Sequence, residues 1–194
     1  MKKIFVVLIL SILPLQLFAQ FKNPTANPSF IGIQAGTTFP ASPSIFNENF
    51  SLGFYGALNY EKSLSDIFSI GGDANYSMYT IDGNNGAVTG DMLSFISVTP
   101  YIRLGDNIGI RSTSPFGRIG AGVGFSSAAR VIKNSVLILN RESETGIAFF
   151  AGAGIDIHLP NLSKMTFEVS YHVNRVSDIN YSGALVGFGY YFRL

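Results

Sequence analysis

Glu168, Ser170 and His172 are an acid, a hydroxyl and an imidazole on one short stretch of the chain. That set performs acyl transfer when the imidazole takes the serine proton and the carboxylate orients the imidazole. The spacing argues against it: residues i and i+2 on a strand share a face but stand about 7 Å apart between backbones. A serine side chain is too short to close that gap, unless its partner is long. The alternative is a histidine hydrogen-bonded inside the fold.

A second set carries charge. Glu61, Asp73 and Glu168 are acidic, and Arg103, Arg118 and Arg193 are basic; Asp156 and His158 follow nearby. If all six share one enclosed face, three acids opposite three arginines form an internal ion-pair network, because buried charges need partners. Such a network blocks a pore when closed and defines an ion path only if it opens. Other chemistries are excluded. With no cysteine and only two histidines, the chain offers no thiolate nucleophile and no spacing suited to zinc. Gly120-Ala121-Gly122-Val123-Gly124 and Gly152-Ala153-Gly154 are not phosphate loops, because no helix signal follows and the glycines alternate with apolar residues. A close-packed wall explains them better. No cofactor is expected.

The elements that must position these residues are strands. From Phe30 onward the dominant signal is period-two alternation broken by Gly, Asn, Asp, Ser and Pro clusters, with no sustained helical period. Eight segments emerge, at about 30–39, 51–62, 68–80, 91–104, 115–130, 145–158, 165–175 and 182–194. In the seventh, Met165, Phe167, Val169, Tyr171 and Val173 oppose Thr166, Glu168, Ser170, His172 and Asn174.

Alternation alone does not say which face is outside, since a lipocalin-like soluble barrel has the same period. Composition decides. Only 13% of residues are charged, and the polar face is Gly, Ser, Thr and Asn rather than the Lys and Glu of a wetted surface. The bulky apolar face suits lipid. Tyr60, Phe68, Phe116, Tyr190 and Phe192 lie near segment ends, where an interfacial aromatic girdle belongs.

Lys2, Lys3, the apolar run Ile4–Leu13 and Leu17-Phe18-Ala19 read as a cleaved signal peptide over 1–19 rather than a membrane anchor, the run being short for a span. Residues 20–29 then form a polar periplasmic lead-in, and 30–194 form the barrel. The chain has 13 basic and 12 acidic residues; losing the two lysines leaves 11 against 12, a net charge of −1. No basic field for nucleic acid remains.

Connections offer an independent check. Those after segments two and six are short, while those after one, three, five and seven are longer, and the one after four is medium. Tight periplasmic turns and extended extracellular loops alternate in this way, with an even strand count. The closing run Gly187-Phe188-Gly189-Tyr190-Tyr191-Phe192-Arg193-Leu194 carries alternating aromatics, ending on Leu194 in place of Phe. With the signal peptide and Gly-rich strands, it resembles the OmpA/OmpX-type outer-membrane proteins, particularly the broad outer membrane protein beta-barrel domain group. The resemblance implies an all-β, eight-stranded antiparallel up-and-down transmembrane barrel in the bacterial outer membrane. It also implies contact with membrane lipid and lipopolysaccharide, and insertion by barrel-assembly machinery through the last strand. Some barrels of this size are lipid A-modifying hydrolases. Here Asn174 stands where the His-x-Ser pattern of lipid A deacylases has its serine, and a lumen-facing His172 is turned away from lipid.

An eight-stranded interior is just wide enough for side chains to fill. The expectation is therefore a non-enzymatic barrel, structural or binding through its loops; a narrow channel and a hydrolase are the alternatives. The loop Arg130–Glu142 is the most distinctive. Parity of the flanking strands demands an odd-length loop centred near Ser135, or a bulge. Its Val136, Leu137, Ile138 and Leu139 form a candidate patch for an extracellular protein partner, unless the strands merely run on past the bilayer.

Overall fold

In a computed structural model of the chain, residues 27–82, 88–107, 112–160 and 162–194 are described; the expected signal peptide and residues 20–26 lie outside them. In chain order the elements begin with β1 (Ser29–Ser42), α1 (Ser44–Asn49), β2 (Phe50–Ser63), β3 (Phe68–Ile81) and β4 (Val88–Gly90). They continue with β5 (Leu93–Gly105), β6 (Thr113–Ser126), β7 (Ala129–Lys133) and β8 (Val136–Arg141). The chain closes with β9 (Glu144–His158), β10 (Lys164–Val176) and β11 (Ile179–Arg193).

The eight long strands form a closed antiparallel barrel in the order β1-β11-β10-β9-β6-β5-β3-β2. Closure is made by β1 against β11, with Phe30 opposite Arg193 and Gly36 opposite Gly187. Phe30 also stands opposite Glu61 of β2, so both described chain ends lie at one rim, called here the terminal rim. That rim carries the turns β2–β3, β5–β6 and β9–β10. The far rim carries α1, the separate sheet β4-β7-β8 and the β10–β11 turn.

Alternation along each strand separates two surfaces. Ile33, Phe54, Leu58, Ile96, Ile119, Phe167 and Phe188 point outward and are exposed, while polar and charged side chains are buried within. An apolar exterior around a charged interior is the inversion that a lipid environment selects.

Four expectations need correction. The fifth segment is not one strand: β6 ends at Ser126, and β7 leaves the barrel to pair with β8. The first far-rim connection is not all loop, because Ser44–Asn49 forms α1 with Phe46 buried. The connection after segment seven is tight, since only Ser177 and Asp178 separate β10 from β11. Phe116 is not in the girdle: its even position on β6 points inward, where it is buried.

Candidate functional site

The lumen is filled in layers. Nearest the terminal rim, Arg103 Nη1 donates to Glu61 Oε1 at 2.8 Å, and Arg103 Nη2 donates to Asp156. Lys164 Nζ donates to the same Glu61 oxygen at 2.9 Å and lies 3.4 Å from Asp156 Oδ2. Thr166 Oγ1 completes Asp156 with a 2.8 Å hydrogen bond. Two acids thus meet two bases, all four buried.

The next layer is built around Arg118. Its Nε donates to Glu168 Oε1 at 2.9 Å and its Nη2 lies 2.8 Å from Glu168 Oε2, a bidentate fork. Nη1 donates to Asn59 Oδ1 at 3.2 Å, and Nη2 to Gln34 Oε1 at 3.2 Å. Asp73 is more distant from Arg118, at 3.5 Å, and takes hydrogen bonds from Asn75 Nδ2 (2.6 Å) and Tyr55 Oη (3.3 Å).

Aromatic rings floor these layers. The Arg118 guanidinium lies 4.8 Å from the Phe150 ring and 5.2 Å from Tyr101. Arg103 sits 4.1 Å from Phe116, and Lys164 5.1 Å from Tyr191. Each ring in turn covers a glycine directly across the ladder: Tyr101 on Gly71, Phe150 on Gly120, Phe116 on Gly154 and Tyr191 on Gly32. A Cβ at Gly32, Gly71 or Gly120 would lie 2.4 Å from its ring. The alternating glycines therefore make room for rings, and the rings carry the cations.

Above the ions, His172 stacks on Phe150 with ring centroids 5.3 Å apart and meets Tyr55 edge-on. Ser170 Oγ and His172 Nε2 are 3.0 Å apart, so the separation expected from strand spacing is bridged by the length of the histidine. The third member is engaged elsewhere: Glu168 is held by Arg118 and by Gln34 Nε2 at 3.3 Å. Ser170 is buried in the lumen, on the face opposite the lipid-facing Val169 and Tyr171. At the far rim, Phe46 of α1 enters an apolar cluster with Tyr79, Phe95, Val131, Leu139 and Tyr181.

Of the six residues placed in a network from sequence, Glu61, Asp73, Arg103, Arg118 and Glu168 come together in these two layers. Arg193 does not. It closes β11 opposite Phe30, partly exposed, and enters no ion pair among the described residues. The lysine at the start of β10 holds that position, with its ammonium 4.7 Å from the Phe30 ring. Lys164 is the member that sequence reasoning missed, and Asp156, noted beside the six but not counted among them, is the other addition. The signal was available, because both have the even parity of the inward residues Thr166, Glu168 and Ser170.

The loop patch is divided. β7 and β8 form a hairpin whose two-residue turn has positive φ at Asn134 (50°) and Ser135 (63°), the primed-turn geometry. Parity is restored by a bulge: Val131 pairs with Leu139 and Ile132 with Leu137, leaving Ile138 extra. Leu139 is buried in the far-rim cluster and Ile138 packs against it. Only Val136 and Leu137 of the four remain exposed, at 62% and 47%.

No protein-family model matches the sequence, and no curated protein is similar enough in sequence to count as a relative. Solved structures are similar in fold. Neisserial surface protein A aligns with TM-score 0.58 and 15% identity, over 86% of this chain and 97% of that one. The outer membrane enzyme PagL aligns with TM-score 0.51 and 15% identity, over 84% and 98%. Ail, the attachment invasion locus protein of Yersinia pestis, aligns with TM-score 0.47 and 20% identity, over 87% and 99%. The fold is that of the eight-stranded, OmpA/OmpX-type outer-membrane barrels.

Proposed function

We propose that the protein is a non-enzymatic barrel of the bacterial outer membrane, whose filled lumen is a scaffold for a far-rim sheet that binds an extracellular protein. The terminal rim, which holds both described chain ends, faces the periplasm in this reading, and α1 and the sheet β4-β7-β8 face outward. One observation carries it. Among the described residues every barrel strand is paired on both sides, whereas β8, like β4, is an edge of its three-stranded sheet. Natural edges are usually blunted by charge or proline; residues 136–140 of β8 contain neither. The fitting partner is an extended segment that adds as a strand, with Val136 and Leu137 meeting its apolar side chains.

The Ser170–His172 contact is the support for a hydrolase, and the likeness to the outer membrane enzyme PagL shows that the fold can carry an enzyme. The engagement of Glu168 by Arg118 and the burial of the pair in the lumen weigh against it. Barrels in nanodiscs, tested against a panel of purified extracellular proteins, should capture at least one that the Ile138→Pro variant releases. Lipid A incubated with the same barrels should keep its acyl chains by mass spectrometry. Deacylation, or capture indifferent to Ile138→Pro, overturns the reading.

A further inference from the structure

The outer wall is not uniform. Between β3 and β9, Gly72, Pro100, Ala121 and Ala151 bring small side chains to the lipid face. Gly72 stands opposite Pro100, and a Cβ at Gly72 would meet nothing within 4 Å. Pro100 has no N–H to offer β6, and the β5–β6 register lapses at Thr99 and Pro100. The result is an apolar groove of about 1030 Å³, at the upper end of the roughly 300–1,000 Å³ typical of ligand pockets. Exposed and bulky Ile102, Ile119, Phe149 and Tyr171 form its sides.

The groove has a polar end. Tyr60 lines it toward the terminal rim, the position of an interfacial tyrosine. Two residues on, Lys62 points outward, between the buried Glu61 and Ser63, and stands opposite the groove residue Ile70. Its ammonium donates to the Asn27 carbonyl at 2.8 Å, which holds it at that rim. An ammonium has three donors, so the held lysine can also meet a phosphate oxygen. A hydrocarbon groove beside a cation at headgroup height fits a lipid with an acyl chain and an anionic headgroup.

We infer that the groove seats an acyl chain of one phospholipid from the leaflet at the terminal rim, with Lys62 engaging its phosphate. This inference stands apart from the strand-addition reading, because it concerns the opposite end and the outside of the barrel. The test uses the barrel in vesicles of phosphatidylethanolamine and phosphatidylglycerol, extracted into detergent, with retained phospholipid measured by native mass spectrometry. The unchanged barrel should retain one phospholipid. Ala121→Phe, which fills the groove with a side chain the lipid face accepts, should lower retention at least about tenfold. Lys62→Gln should lower it about fivefold, as loss of roughly 1 kcal/mol per basic contact implies. Heat-modifiable gel migration checks that each variant is folded, and Ala151→Phe substitutes if Ala121→Phe is not. Equal retention in all barrels overturns the inference. So does a lipid-free dimer cross-linked through Ala121→Cys, a unique thiol in a chain without cysteine, which would make the groove an interface between copies.

Discussion

Arg118 satisfies Glu168, Asn59, Gln34 and, more distantly, Asp73 while lying against two rings. Its removal leaves Glu168 and Asp73 buried without their cation. Arg118→Ala should therefore destabilise the barrel by about 3–5 kcal/mol, measured by urea unfolding in lipid vesicles. Replacing Arg118 and Glu168 together by Met and Leu should recover part of that loss, since Glu168 no longer needs a counter-charge while Asp73 keeps only its bonds from Asn75 and Tyr55. Two adjacent glycines give a sharper contrast. Gly71→Ala drives a Cβ to 2.4 Å from both the Tyr101 ring and the Tyr60 carbonyl, and should cost about 1–3 kcal/mol. Gly72→Ala points the other way into open space, and should leave the unfolding midpoint unchanged. At this scale the sequence was readable where a charge lay in mid-strand, as with Arg103, Arg118 and Glu168. It misled at strand ends: alternation pointed Arg193 inward, but its strand stops there, and Lys164, assigned to a turn, begins the next strand. The uncharged partners Gln34, Asn59 and Tyr55 gave no signal, because nothing in their type separates them from other lumen polar residues.

Among the elements, the β7–β8 hairpin combines a tight turn with a bulge, and each constrains the other. Parity of the flanking barrel strands requires one extra residue, and Ile138 supplies it. That the hairpin needed either a bulge or an odd loop was legible; which of the two it used was not, because the choice rests on Asn134 and Ser135 accepting positive φ. Serine does so at a cost that glycine avoids. Ser135→Gly should stabilise the hairpin by up to about 1 kcal/mol, seen as slower amide hydrogen exchange from Val131 to Leu139 with barrel amides unaffected. Faster exchange there would mean that the turn is not the element that sets the hairpin. The helix α1 escaped the sequence because its six residues are too few to display a period, and what holds it is tertiary: Phe46 packs on Tyr79 at 4.6 Å and on Tyr181 at 5.5 Å. The β10–β11 turn was misread because its polar residues resemble a loop, although Asn180 and Tyr181 already pair with Arg175 and Asn174.

For the whole molecule, the lumen has two seals of different chemistry in series. The ionic layers of Arg103, Lys164 and Arg118 block the half toward the terminal rim, and the apolar cluster around Phe46 and Phe95 blocks the far rim. A channel would require both to open together, since an ion passing the apolar seal meets three cations cross-bridged to four carboxylates. Loosening one seal should not create a pore. A Phe46→Ala, Phe95→Ala barrel loses much of the far-rim packing and should lose thermal stability, at about 3–5 kcal/mol for a fully buried aromatic. In planar bilayers it should nevertheless stay as silent as the unchanged barrel. Steady unitary currents from that variant would show that the ionic layers are permeable, and that the apolar cluster alone is a gate. Silence in both is the outcome expected of a lumen filled by side chains along its length.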